Sequence, residues 1–251
     1  MEFNLTTALL LLGVGTVAGI LNILAGGGSL LTLPVLIFLG LPAPVANGTN
    51  RIALLFQNIV AVSSFRQSGH LPFRLALLCA PSALLGSIVG ANLAVTIDER
   101  LFKQLLAGVM VMVVILMVID PARRLKLQPQ PLTWRRSIVL VAVFFLIGIY
   151  GGFIQAGVGF LIITALLFQG LDLIRINAVK VFVVLVYMVS SIAVFIYHGQ
   201  INYVLGLALA VGNSLGGWLG TRIAIKGGHG FIRKVVIVVV IVFAVKLLVS
   251  S

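Results

Sequence analysis

The chain has 251 residues, 61% of them hydrophobic and only 9% charged, with a mean hydropathy of +1.24. Soluble domains carry about 25% charged residues, so the composition excludes a water-soluble globule and places the chain in a lipid bilayer. A formal net charge of +12 would suggest nucleic acid in a soluble chain. In a membrane chain it reads as the Lys and Arg excess of cytoplasmic loops, together with a cationic interior that attracts an anionic substrate; no nucleic-acid partner is expected.

The first apolar stretch, 6–24, has no Lys or Arg ahead of it. It lacks the basic start of a cleaved signal peptide and reads as a retained span. It runs into "AGGGSLLT" at 25–32, a glycine triplet that breaks the helix, followed by a short apolar piece, 29–40. Full spans are expected at 47–65, 75–95 and 102–119, each near the roughly 20 residues that cross a bilayer. The polar linker "DPARRLKLQPQPLTWRR" occupies 120–136. Beyond it come a span at 137–155, a second glycine break "AGVGFLII" at 156–163, a short piece at 160–170, and spans at 177–197, 201–221 and 231–249. The single cysteine, Cys79, sits in an apolar run and reads as a small buried hydrophobe.

The second half repeats the first. A shift of 131 places carries Ala25, Gly26, Gly28 and Leu30 onto Ala156, Gly157, Gly159 and Leu161. A shift of 130 carries Phe38, Gly40 and Asn47 onto Phe168, Gly170 and Asn177, then Gly86 and Gly90 onto Gly216 and Gly220. The expected organisation is a first transmembrane repeat at 1–119, a basic cytoplasmic linker at 120–136 and a second repeat at 137–251. If the short pieces count as crossings, the halves are inverted and, with the N-terminus outside, only Arg51, Arg100, Lys103 and Lys246 lie on the outer side. Eight crossings would leave no charge bias, so the positive-inside rule selects the inverted arrangement. The fold class is therefore an all-α polytopic membrane protein of two homologous, inverted halves. Each half has four full spans plus one short half-helix after a Gly-rich break.

Paired interrupted helices mark substrate sites in transporters. A half-helix starting at Ser29 or Phe160 offers free N–H groups and a positive dipole end to an anion, and Gly26, Gly27, Gly28, Gly157 and Gly159 let it approach the backbone. Gln155, just before the second break, is a further polar donor. Gly86/Gly90 and Gly216/Gly220 are small-xxx-small patterns and read as helix packing. "NGTNR" at 47–51 and its counterpart "NAVKV" at 177–181 each open a long span. Asn47 and Asn177 suit N-caps, whereas Asn50, Arg51 and Lys180 go beyond what a cap needs. The two cations either face the substrate or snorkel to the headgroups.

The glycine break, the short segment and "P-x-x-x-N-G-T-N-R", echoed by "R-x-N-A-V-K", resemble the sulfite exporter TauE/SafE family, also called toluene-sulfonate uptake permeases. The resemblance spans essentially the whole chain and implies transport of sulfite, sulfonates or similar sulfur-containing anions across the cytoplasmic membrane. By that resemblance Gly26, Gly27, Gly28, Asn47, Thr49 and Asn50 match the first-half motif, and Gly157, Gly159, Asn177 and Lys180 the second. The second half departs from the pattern at Val179, Lys180 and Val181, so a symmetric site is not expected. The alternative is an anion channel with the same pore-lining breaks.

Catalysis is not expected. Glu2, Asp98, Glu99, Asp120 and Asp172, and likewise His70, His198 and His229, all fall at loops or ends without metal-ligand spacing. No P-loop motif occurs, and neither a metal nor another cofactor is expected. The expected partners are a small anionic substrate, the lipid bilayer and further copies of the chain in a homo-oligomer.

Overall fold

The structure, a computed structural model, describes residues 4–119 and 130–226; the expected span at 231–249 and most of the linker lie outside them. The described residues form nine helices and no strand. They are α1 (Leu5–Ala25), α2 (Ser29–Phe38), α3 (Ala43–Gln67), α4 (Phe73–Thr96), α5 (Glu99–Ile119), α6 (Trp134–Phe153), α7 (Val158–Leu167), α8 (Leu173–Tyr197) and α9 (Tyr203–Ile225). Among them α1, α4, α6, α8 and α9 are long and apolar enough to cross a membrane. α3 is as long but carries buried Asn47, Thr49, Asn50, Arg51, Gln57 and Asn58. Large apolar side chains such as Leu5, Leu146, Val189 and Val211 face outward, the surface a bilayer rather than water would cover.

Three expected helix starts are corrected. α3 opens at Ala43 behind Pro42, with Pro44 inside its first turn, and proline favours that position because its missing N–H is not needed there. α8 opens at Leu173, where the Asp172 side chain accepts from Arg175 N. Asn47 and Asn177 are therefore interior residues, about one turn inside their helices, and not caps. The second short helix likewise begins at Val158, two residues before the expected Phe160.

With the halves taken simply as the segments before and after the 120–136 linker, their helices interlock: α1 packs along α9 and α4 along α6, so the first helix of each segment lies on the fourth helix of the other; α3 packs on α9 and α8 on α4. Glycines set these crossings. A Cβ added at Gly86 or Gly90 of α4 would strike the Phe145 and Ile149 carbonyls of α6, and one at Gly216 would strike Thr16 of α1. A Cβ at Gly220 would come within 3.0 Å of Ile20 Cα and Ile23 Cβ. Both glycine pairs serve close helix packing, as their spacing suggests. α5 covers the α1–α2 side: Phe102, Leu106, Met110 and Val113 share one buried cluster with Leu21, Leu30, Leu31 and Leu33.

Candidate functional site

α1 stops where Gly26 turns left-handed (φ 78°), its N–H closing on Leu21 O at 3.1 Å and Asn22 O at 3.0 Å. This is the usual glycine termination of a helix. α6 stops at Phe153; Gln155 (φ 66°) and Gly157 (φ 73°) then carry the chain into α7. Gln155 is the one non-glycine residue with positive φ among the described residues, a strained geometry concentrated at the break.

The two breaks touch. A Cβ at Gly26 would lie 2.5 Å from Gly159 Cα and 2.9 Å from Phe160 N, so the backbones meet with no room for a side chain. Gly27 faces the edge of the Phe160 ring, Gly28 abuts Ala18 O of α1, and Gly157 abuts Val113 of α5. The N–H groups of Gly27, Gly28 and Ser29 at the start of α2 find no acceptor among the described residues, nor do those of Gly157 and Gly159 at the start of α7. Ser29 through Leu36 are all buried, so these donors sit in the protein interior.

The long polar side chains reach across to the other half's broken helix. Asn47 Nδ2 donates to Phe153 O at 2.7 Å. Arg51 donates to Gly151 O at 3.1 Å and Gly152 O at 2.5 Å, and also to Ser191 Oγ; its guanidinium lies 4.6 Å from the Phe195 ring centre. In the opposite direction Lys180 Nζ donates to Asn22 O at 2.8 Å, Ile23 O at 2.7 Å and Asn177 Oδ1 at 2.8 Å. Carbonyls at a helix C-terminus lack intrahelical partners and form the negative dipole end, so each cation caps the interrupted helix of the opposite half. Arg51 is 0% and Lys180 2% exposed. Neither snorkels to the headgroups, and that reading is overturned.

Of the sequence candidates, Gly26, Gly27, Gly28, Ser29, Gln155, Gly157 and Gly159 line the breaks, with Asn47, Asn50, Arg51, Asn177 and Lys180 packed around them. Thr49 is turned away: its hydroxyl accepts from Asn202 N at 2.9 Å, at the start of α9. Thr32, missed in the sequence, donates to Asn50 Oδ1 at 2.6 Å; the signal was its place three residues after Ser29, on one face of the short helix. Gln57 was also missed, a fully buried amide on α3 with no partner at either atom. Asp98, Glu99 and Asp172 all sit at helix ends, so no carboxylate among the described residues neutralises Arg51 or Lys180. Nor do the described residues hold a cluster suited to a metal.

Comparison with known proteins identifies the family. The chain is similar to the "Probable membrane transporter protein" of Haemophilus influenzae, 26% identical with 98% of this chain and 96% of that protein covered. It is similar to the protein of the same name from Xylella fastidiosa (strain Temecula1), 30% identical over 84% of this chain and 82% of that one. "Probable membrane transporter protein ORF9" of a Sinorhizobium species is 26% identical, with 92% and 88% covered. No solved structure gives a significant match. The model of one family, described as "Sulfite exporter TauE/SafE", matches residues 11–247. The chain belongs to the sulfite exporter TauE/SafE family.

Proposed function

We propose that this membrane transporter is a secondary exporter of small sulfur-containing anions, sulfite or organosulfonates, across the cytoplasmic membrane. The anion binds at the paired helix breaks, and the two halves are inverted about that site. The observation that carries this reading is the meeting of the breaks at Gly26 and Gly159, with buried amides that lack an acceptor at the starts of α2 and α7. Arg51 and Lys180 stand behind it with only carbonyl and side-chain oxygens as hydrogen-bond partners. Such a centre is positive, buried and rich in N–H donors, which favours an oxyanion over a cation or a neutral solute. Reciprocal capping also links the halves mechanically: a rocking motion of one against the other, the usual route to alternating access, moves both breaks together.

Proteoliposomes loaded with sulfite and diluted into sulfite-free buffer test the proposal. Efflux that saturates with internal concentration, and that sulfonates but not choline inhibit, is expected. Efflux no faster than from empty liposomes sinks it.

A further inference from the structure

The two breaks match in sequence position but not in chemistry. On the repeat register Ser29, Thr32 and Asn50 of the first half correspond to Phe160, Ile163 and Lys180 of the second. Around the start of α2 four neutral polar side chains converge. Thr32 Oγ1 holds Asn50 Oδ1, and Gln155 Nε2, reaching over from the other break, lies 3.5 Å from Ser29 Oγ. None of the four exceeds 3% exposure. Asn50 Nδ2 and Gln155 Oε1 are nevertheless without partners, beside the unbonded amides of Gly27, Gly28 and Ser29. The start of α7 offers a phenyl ring and a sec-butyl group at the matching places, and the ammonium at the third is committed to α1.

Buried polar atoms without partners are rare in folded proteins and costly. Two of them, on different halves, flank one helix N-terminus whose dipole favours negative charge. An oxyanion placed there accepts from Asn50 Nδ2 and the α2 amides. A half-turn of the Gln155 amide, which leaves its shape unchanged, lets Oε1 accept from the Ser29 hydroxyl and presents Nε2 to the ligand. Thr32 is then a positioning residue: by holding Asn50 Oδ1 it aims Nδ2 at the site.

The geometry points to one anion subsite per chain, at the start of α2 and built from Ser29, Thr32, Asn50 and Gln155, which takes the SO₃ head group common to sulfite and alkanesulfonates. The start of α7 is its apolar counterpart and binds no second anion. This inference rests on the transport reading above and specifies where its anion sits.

Titration calorimetry on the purified full-length chain, with sulfite and separately with methanesulfonate, tests it. One equivalent per chain is expected for each anion. Ser29→Ala and Thr32→Val should each weaken both by about tenfold, Thr32→Ser should recover most of the loss, and Ile163→Val should stay within about twofold, since it removes one methyl group and no polar contact. Two equivalents per chain, or full affinity in Thr32→Val, overturns the single subsite and leaves transport standing. Binding of sulfite without methanesulfonate overturns the shared head group. Absence of binding and of liposome flux for either anion overturns both this inference and the transport reading.

Discussion

Replacing Lys180 by methionine keeps most of the side-chain volume and deletes the ammonium that caps α1. Three hydrogen bonds of 2.7–2.8 Å disappear. Asn22 O keeps a second partner, the Gly26 N–H at 3.0 Å. Ile23 O and Asn177 Oδ1 lose their only donor, and each orphaned buried acceptor costs about 1–3 kcal/mol. The expected destabilisation is therefore roughly 2–6 kcal/mol, comparable to breaking a buried ion pair. Lys180→Arg should recover part of it, limited by the planar fork. Unfolding by sodium dodecyl sulfate titration in mixed micelles measures the difference. A lysine that merely projects to the headgroups would lose little on truncation, so a change below about 1 kcal/mol refutes the capping role and the cross-half linkage built on it.

Gly159→Ala should destabilise by about 1–3 kcal/mol, because its Cβ meets the backbone of Gly26. Gly108→Ala, in a helix with nothing within 4 Å of the added atom, should instead be neutral or stabilising by up to ~1 kcal/mol; the same detergent titration compares the two. Arg51→Lys keeps the charge but not the fork that spans Gly151 O, Gly152 O and Ser191. It should lower maximal sulfite efflux more than it raises the half-saturating concentration, since Arg51 holds the break rather than the ligand. For topology, single cysteines at Ser68 and Lys226 in a Cys79→Ala background should react with impermeant maleimide from the cytoplasmic side, and those at Asp98 and His198 from the outside. Opposite sides for Ser68 and Lys226 would indicate parallel halves.

Much of the fold was legible because it depends on local chemistry. The left-handed glycine at Gly26 ends α1 and the short helix at Ser29 follows directly, whereas left-handed Gly157 sits at the start of α7 and puts that start at Val158, two residues before the expected Phe160. Apolar windows located the long helices but misplaced the starts of α3 and α8, because Asn47 and Asn177 have the side chains of N-caps although each lies about one turn inside its helix. Pro42, Pro44 and Asp172 carried that information. The roles of Arg51 and Lys180 were not readable, since their partners lie 100 and 158 residues away in the chain. Only the interlocking of the halves brings a cation of one beside the helix end of the other. Thr32 was hidden for the same reason: a single threonine in an apolar run acquires meaning only when Asn50 is placed against it.

Counterflow distinguishes an anion site at paired helix breaks that is alternately exposed from one in an open pore. Proteoliposomes are preloaded with millimolar unlabelled sulfite and diluted into trace radiolabelled sulfite. A transient overshoot of label inside is expected, absent without preloading and reduced in Ser29→Ala. Label that rises monotonically to equilibrium at a rate linear in concentration would mean a channel, and would contradict alternating exposure.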